Sequence, residues 1–297
     1  MKMGLATFLK SNGLSMQEAA RALGVDKSQV VKVCSHDYPH WEEKESDFIE
    51  RLKQRGFSDS IPQGIDIDTD VMVLTPSVSN FKALADDLAD QGGTLSSSIG
   101  MAIGVAERGK THTSKWYVQE NPRAAYVLFV DGSTKVQLLR DICDAVAHVR
   151  PYSFGHCITT LEESCKYTRR LIIIDEADKL PVGHLEMLRG INERCNLPLL
   201  LVGEEGLKVK TDRVPRLRSR IRKPIVLFEP AGSVDVAAYW HEAAGIDIER
   251  TAAETLARHA TGGFRSIVND SIAISKMSKA SSVSTVTPKM LEKLCAA

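Results

Sequence analysis

Two stretches of this chain carry residues that can do chemistry together. The first reads Gly104-Val105-Ala106-Glu107-Arg108-Gly109-Lys110-Thr111-His112, and it sits between a short apolar run and a segment of helical pattern. A glycine-bounded turn ending in Gly-Lys-Thr is the phosphate-binding loop pattern. Backbone N–H groups must curl inward around phosphate oxygens, which favours glycine where the chain turns tightly. A helix that follows directs its positive N-terminal end at the same anion. On this reading Gly104, Val105, Ala106, Glu107, Arg108, Gly109, Lys110, Thr111 and His112 cradle a nucleotide. Lys110 reaches the β- and γ-phosphates, and Thr111 offers its hydroxyl to Mg²⁺. Glu107 stands where many such loops carry a further glycine.

The second stretch, Arg169-Arg170-Leu171-Ile172-Ile173-Ile174-Asp175-Glu176, is an apolar strand closing on two carboxylates. A phosphate-loop nucleotidase needs a Mg²⁺-binding aspartate at the carboxyl end of a neighbouring parallel strand. Asp175 takes that role, and Glu176 orients and deprotonates the attacking water. Asp175-Glu-Ala-Asp178 also spells a helicase signature, but no other helicase motif accompanies it. The next apolar run ends in Gly203-Glu204. There Glu204 either positions water and senses the γ-phosphate or is an ordinary surface glutamate. From Leu207 to Lys223 eight basic residues stand against Asp212. Such a run is a solvated face, a DNA-phosphate contact, or the source of an arginine given to a neighbouring subunit's nucleotide. Arg220 is the first candidate for that arginine and Arg216 the second. Gly262-Gly263-Phe264-Arg265 opens a helix whose arginine either swings onto the γ-phosphate or sits on the surface.

These groups need a scaffold that brings strand ends together. Apolar runs predict strands over 99–103, 124–130, 171–174, 199–202 and 225–228. Helical patterns fall between them over 110–120, 136–149, 159–167 and 182–195. Continuous apolar strands separated by helices predict a parallel sheet covered on both faces. Beyond residue 230 only helical patterns remain, which predicts a small helical lid. A helix is expected over 80–91, stopped by Gly92-Gly93. Residues 61–79, with Asp66, Asp68 and Asp70, read as a solvated linker that lacks the glycine and closing glutamate of a calcium loop. Residues 1–60 read as all helical. Ser15 and Glu18 form a capping box, and Gly24 permits a tight turn between two helices. The phrase from Leu14 to Lys32 resembles a helix-turn-helix, which puts Lys27, Ser28, Gln29 and Lys32 on the DNA-reading side. A helical bundle for protein contacts is the alternative, and the nine basic and nine acidic residues of 1–60 do not decide between them. The expected units are therefore 1–60, the linker 61–79, the α/β unit 80–229 and the lid 230–297.

Composition narrows the field. Lys+Arg and Asp+Glu both number 38, so no global attraction to nucleic acid exists and any basic surface is local. Six cysteines without Cys-x-x-Cys spacing argue against a zinc site or a secreted disulfide framework. No signal peptide or membrane-spanning run is expected, which points to the cytoplasm.

Taken together, the motifs resemble those of the AAA+ ATPases. The match takes in Gly104–Thr111 (Walker A), Leu171–Glu176 (Walker B), Gly203-Glu204 (sensor 1, where an asparagine is expected), Arg216–Arg220 (arginine finger) and Gly263–Arg265 (sensor 2). Within that class the layout is similar to the ATP-dependent target-DNA activators of Mu-like transposable phages. The resemblance implies an α/β P-loop AAA+ module with a five-stranded parallel sheet and helical lid, preceded by an all-α helix-turn-helix domain. It further implies an ATP hydrolase using ATP and Mg²⁺. ATP-bound copies would assemble as a filament on double-stranded DNA, largely without sequence preference, and recruit and activate a transposase. Ser133, Thr134, Lys135 and Arg150 are the DNA-facing candidates inside such a filament. A nucleotide-switched helix-turn-helix transcription regulator and a helicase-loader-type ATPase are the competing functions.

Overall fold

The computed structural model describes residues 4–12, 14–57, 64–90, 99–166, 169–281 and 283–296. The expected helix stop at Gly92-Gly93, residues 61–63 of the expected linker and Tyr167 lie outside the described residues.

Four helices open the chain: α1 (Leu5–Ser11), α2 (Met16–Leu23), α3 (Lys27–Cys34) and α4 (Trp41–Lys53). The Ser15–Glu18 capping box starts α2, and Gly24 ends it in the left-handed region at φ +69°. Asp26 caps α3 by accepting from the Ser28 amide. Leu5, Phe8, Ala19, Leu23, Val30, Val33, Phe48 and Leu52 close a separate small core.

The α/β unit begins with α5 (Pro76–Asp90), one turn earlier than the expected start at Asn80. Pro at a first helical position is favoured because it lacks only an N–H that has no intrahelical partner there. There follow β1 (Ile99–Ile103), α6 (Lys110–Glu120), β2 (Ala124–Leu128), α7 (Lys135–Ala147), α8 (Phe154–Cys165), β3 (Leu171–Asp175), α9 (Val182–Cys195) and β4 (Leu199–Gly203). Two helices inside the basic run were not expected, α10 (Glu205–Asp212) and α11 (Pro215–Arg218), before the two-residue β5 (Val226–Leu227).

The five strands are all parallel, in the order β2-β3-β4-β1-β5. Every residue of β1, β3 and β4 is buried, while the edge strands β2 and β5 are partly exposed. That is the burial a parallel sheet with helices on both faces demands. One face packs on α7, α8 and α9 through Leu139, Ile142, Leu161, Leu188 and Ile191. The other packs on α5 and α6 through Phe81, Leu84, Leu88 and Tyr117. Because all strands point one way, their carboxyl ends share one edge, where ligands of open α/β sheets bind.

The chain closes with α12 (Ser233–Ala244), α13 (Arg250–His259), α14 (Phe264–Ser281) and α15 (Pro288–Cys295), packed around Trp240, Leu256, Ile267 and Ile274. Ile65 and Val73 belong to this same core. The Ile65 amide donates to Ser278, its carbonyl accepts from Ser275 Oγ at 2.6 Å, and the Asp68 amide donates to the Ala243 carbonyl. The described part of the aspartate-containing stretch is therefore seated on the helical lid and is not a solvated segment. Ile65 and Val73 bury while Asp66, Asp68 and Asp70 face outward.

Candidate functional site

The site grows from the end of β1. Gly104 has no room for a side chain: a Cβ there would stand 2.8 Å from the Phe228 carbonyl oxygen. The backbone then turns through Gly109 at φ +87° before α6 begins. Glu107 adopts φ +67°, the left-handed conformation that glycine supplies most easily. The lid holds it there. Phe264 N–H donates to the Glu107 carbonyl at 2.8 Å, and Ser266 Oγ donates to Glu107 Oε2 at 3.0 Å. Arg108 Nη1 reaches the Thr261 carbonyl at 2.9 Å.

Lys110 Nζ donates to the carbonyls of Gly104 and Val105, each at 2.7 Å. Burial pushes its pKa down, and Glu204, Asp175, Glu176 and Asp178, in that order, pull it back up. A half-buried ammonium resting on two neutral carbonyls, at the start of a helix, fits a phosphate anion. Thr111 lines the same cavity beside it.

Across from the loop, Asp175 is 1% exposed at the end of β3. Tyr126 Oη donates to Asp175 Oδ2 at 2.8 Å, and the Glu176 amide donates to Oδ1 at 2.9 Å. Burial, and then the Asp175 charge, push the Tyr126 phenol well above its usual range, so it stays a neutral donor. Glu176 sits at φ +58° and pairs with Lys179 at 2.7 Å. Asp178 fastens the ends of β3 and β4 together, accepting from the Glu204 amide at 3.0 Å. Gly203 must be glycine for the same reason, since a Cβ would come within 2.5 Å of Asp178 Oδ1.

The loop and the strand ends open onto a cavity of about 480 Å³, with Asp175 and Tyr126 behind its lining. Residues 106–113 of the loop and α6, Glu176, Asp178, Glu204 and, from the lid, Arg265 all face it. Its far wall is Thr69, Val71, Met72 and Val73 together with Tyr239 and Val268. This is an apolar recess of the kind that accepts a flat base. Val105 is exposed outside the cavity.

The remaining predicted residues lie elsewhere. Arg220 pairs with Glu193 of α9 at 2.5 Å, and Arg216 is exposed on α11; neither borders this chain's own cavity. Lys27, Ser28 and Lys32 are exposed on α3, while Gln29 is half-buried. The Ser133 carbonyl contacts the His184 ring, Thr134 caps α7, and Lys135 is the first residue of that helix. Arg150 pairs with Asp141 and Asp144. Sequence reasoning missed Tyr126, the fastening role of Asp178 and the wall at 69–73. A tyrosine inside an otherwise apolar strand next to the acid-ending one was the available signal for Tyr126.

An all-parallel sheet in this order, with a phosphate-type loop after its first strand, an acid pair after its third and a four-helix lid, is the AAA+ fold. Residues 94–209 match the sequence family described as AAA domain. Among solved structures, the Aeropyrum pernix ORC2 protein in ADPNP and ADP complexes superposes with a TM-score of 0.59 at 15% identity. That alignment covers 80% of this chain and 69% of that one. The chain has the AAA+ fold, carries an AAA domain match and resembles the B protein of Mu-like transposable phages. It is 27% identical over 193 residues to the Mu-like prophage FluMu DNA transposition protein B of Haemophilus influenzae, across 62% of this chain and 63% of that protein. A 51-residue segment is 49% identical to a potential ATP-binding protein of Staphylococcus aureus, covering 17% of this chain and 19% of that one. The matches thus span less than two thirds of either relative's length. No helix among the described residues is long and apolar enough to cross a membrane.

Proposed function

We propose that this protein binds and hydrolyses ATP, assembles with further copies on double-stranded DNA in the ATP-bound state, and there recruits and activates a transposase. The observation that carries the nucleotide reading is the convergence of Lys110, Glu176, Glu204 and Arg265 on one cavity, with the Asp175 charge close enough to act on Lys110. The DNA and transposase reading rests on the relationship to the FluMu transposition protein and on the exposed cations of α3.

Each residue has a role that its surroundings support. The amides of 105–110 and Lys110 hold the phosphates. Thr111 and Asp175 offer hard oxygen donors suited to Mg²⁺, an ion that makes do with one or two protein ligands. Magnesium supplies charge neutralisation at the phosphates when bound. Glu176, swung from Lys179, takes a proton from water, and Glu204 orients that water. Arg265 reads the terminal phosphate from the lid. Arg220, with Arg216 behind it, leaves its own cavity and serves a neighbouring copy, which links nucleotide to assembly. Lys27, Ser28, Gln29 and Lys32 on the first unit (1–60), and Ser133, Thr134, Lys135 and Arg150 on the α/β unit (80–229), contact DNA. Many weak phosphate contacts summed along an assembly give strong, salt-dependent binding.

Electron microscopy with ATP and duplex DNA of arbitrary sequence tests this reading. Regular ATP-dependent filaments are expected. Discrete complexes on one operator sequence would favour a transcription regulator instead.

A further inference from the structure

The residue that departs from the phosphate-loop pattern makes the most specific contact in the site. Glu107 receives hydrogen bonds from Phe264 N–H to its carbonyl and from Ser266 Oγ to its carboxylate. Those two residues are the immediate neighbours of Arg265, which borders the cavity. Glu107 therefore grips the first turn of α14 on both sides of that arginine.

The surroundings leave the loop and this turn little freedom. A Cβ on Gly263 would come within 2.9 Å of Glu107 Oε2, and one on Gly262 within 2.5 Å of Arg108 Nη1. Arg108 adds its own bond to the Thr261 carbonyl. The carboxylate also sits near the N–H groups that open an 18-residue helix, where negative charge is favourable. Arg265 is the second residue of α14, so the clamp on residues 264 and 266 ties the helix end that carries it to the loop. A glycine in place of Glu107 keeps the loop's backbone conformation but removes the side-chain half of this grip.

We infer that Glu107 is a positioning residue that couples the phosphate loop to the lid and sets where Arg265 stands. Ordering of the loop by phosphate then reaches the lid directly, through residues 107, 264 and 266. The inference rests on Gly104–Thr111 being the nucleotide loop.

Amide hydrogen exchange on the full chain tests it, with and without Mg-ATP, for wild type, Glu107→Gln, Glu107→Asn and Ser266→Ala. Gln retains an acceptor at the same reach. Asn tolerates the left-handed backbone but is one methylene too short. Without nucleotide, exchange over 262–268 speeds up about tenfold in Glu107→Asn and Ser266→Ala, the scale of one lost hydrogen bond, and stays near wild type in Glu107→Gln. With Mg-ATP, wild type and Glu107→Gln gain protection over both 104–112 and 262–268. In Glu107→Asn, compared at ATP concentrations that saturate protection of 104–112, the added protection stops at the loop. Equal nucleotide-dependent protection of 262–268 in Glu107→Asn and wild type would overturn the inference. If wild type bound no ATP, the nucleotide reading would fail by itself. The ligand-free comparison of Gln with Asn would then decide the coupling: a tenfold gap supports it and no gap sinks it.

Discussion

Replacing Tyr126 by Phe removes one oxygen and leaves the ring in place. Tyr126 Oη donates to Asp175 Oδ2 at 2.8 Å, and Asp175 is 1% exposed, so water does not take over the lost donor. A hydrogen bond to a charged acceptor contributes roughly 1.5–3 kcal/mol, and a buried acceptor stripped of its donor sits in that range. Asp175 Oδ1 keeps the Glu176 amide, which places the expected loss near the middle, about 2 kcal/mol. For a unit of about 150 residues, the size of the α/β unit, that corresponds to a fall in melting temperature of about 4–8 °C. Tyr239→Phe is the control. Tyr239 is buried, but its Oη has no hydrogen-bond partner among the described residues, so losing it forfeits nothing. Differential scanning calorimetry without nucleotide should show Tyr126→Phe melting several degrees below wild type and Tyr239→Phe at or above it. A Tyr126→Phe midpoint within about 1 °C of wild type, or equal losses for both variants, would refute the reasoning that Tyr126 holds the acid of the site.

Other outcomes follow from the same geometry. Glu176→Gln should bind ATP normally and hydrolyse it about 10²–10⁴-fold more slowly, the usual share of a general base; unchanged turnover removes Glu176 from the chemistry. Arg220→Ala should lose ATPase activity and regain it when mixed with Glu176→Gln subunits, each variant supplying what the other lacks. Absence of rescue argues against a contribution to a neighbour. In the N-terminal helices, hydrogen bonds from Ser15 and from Ser28 hold the Glu18 and Asp26 carboxyls below their usual ranges. Depressed carboxyls stabilise the fold above their unfolded values, near 4.5 and 3.8, and that stabilisation fades as pH falls through the folded ones. Exchange over 15–34, corrected for intrinsic rates, should therefore speed up below about pH 4, and a flat profile would contradict the capping roles.

Much of this was legible from local pattern. Runs such as Leu171-Ile-Ile-Ile announce a strand buried on both faces, and a strand-ending acid pair needs no tertiary information to be seen. What stayed hidden was non-local or masked by charge. Leu207, Thr211 and Leu217 are the buried residues of α10 and α11, and eight surrounding cations drown so sparse a period. The aspartates of 66–70 suggested solvent, while Ile65 and Val73 find their partners some 200 residues later in the lid, as the Ile65–Ser278 contact spans |i−j|=213. Glu107 looked like a flaw in a glycine-rich loop because Ser266, its partner at |i−j|=159, is invisible to local reading.

Binding of a fluorescent ATP analogue with magnesium to wild type and to Lys110→Ala tests the central claim most directly. Wild type should bind saturably and Lys110→Ala should not, although the removal of a half-buried ammonium leaves its fold intact by circular dichroism. Equal binding by the two proteins, or none by wild type, would contradict the account.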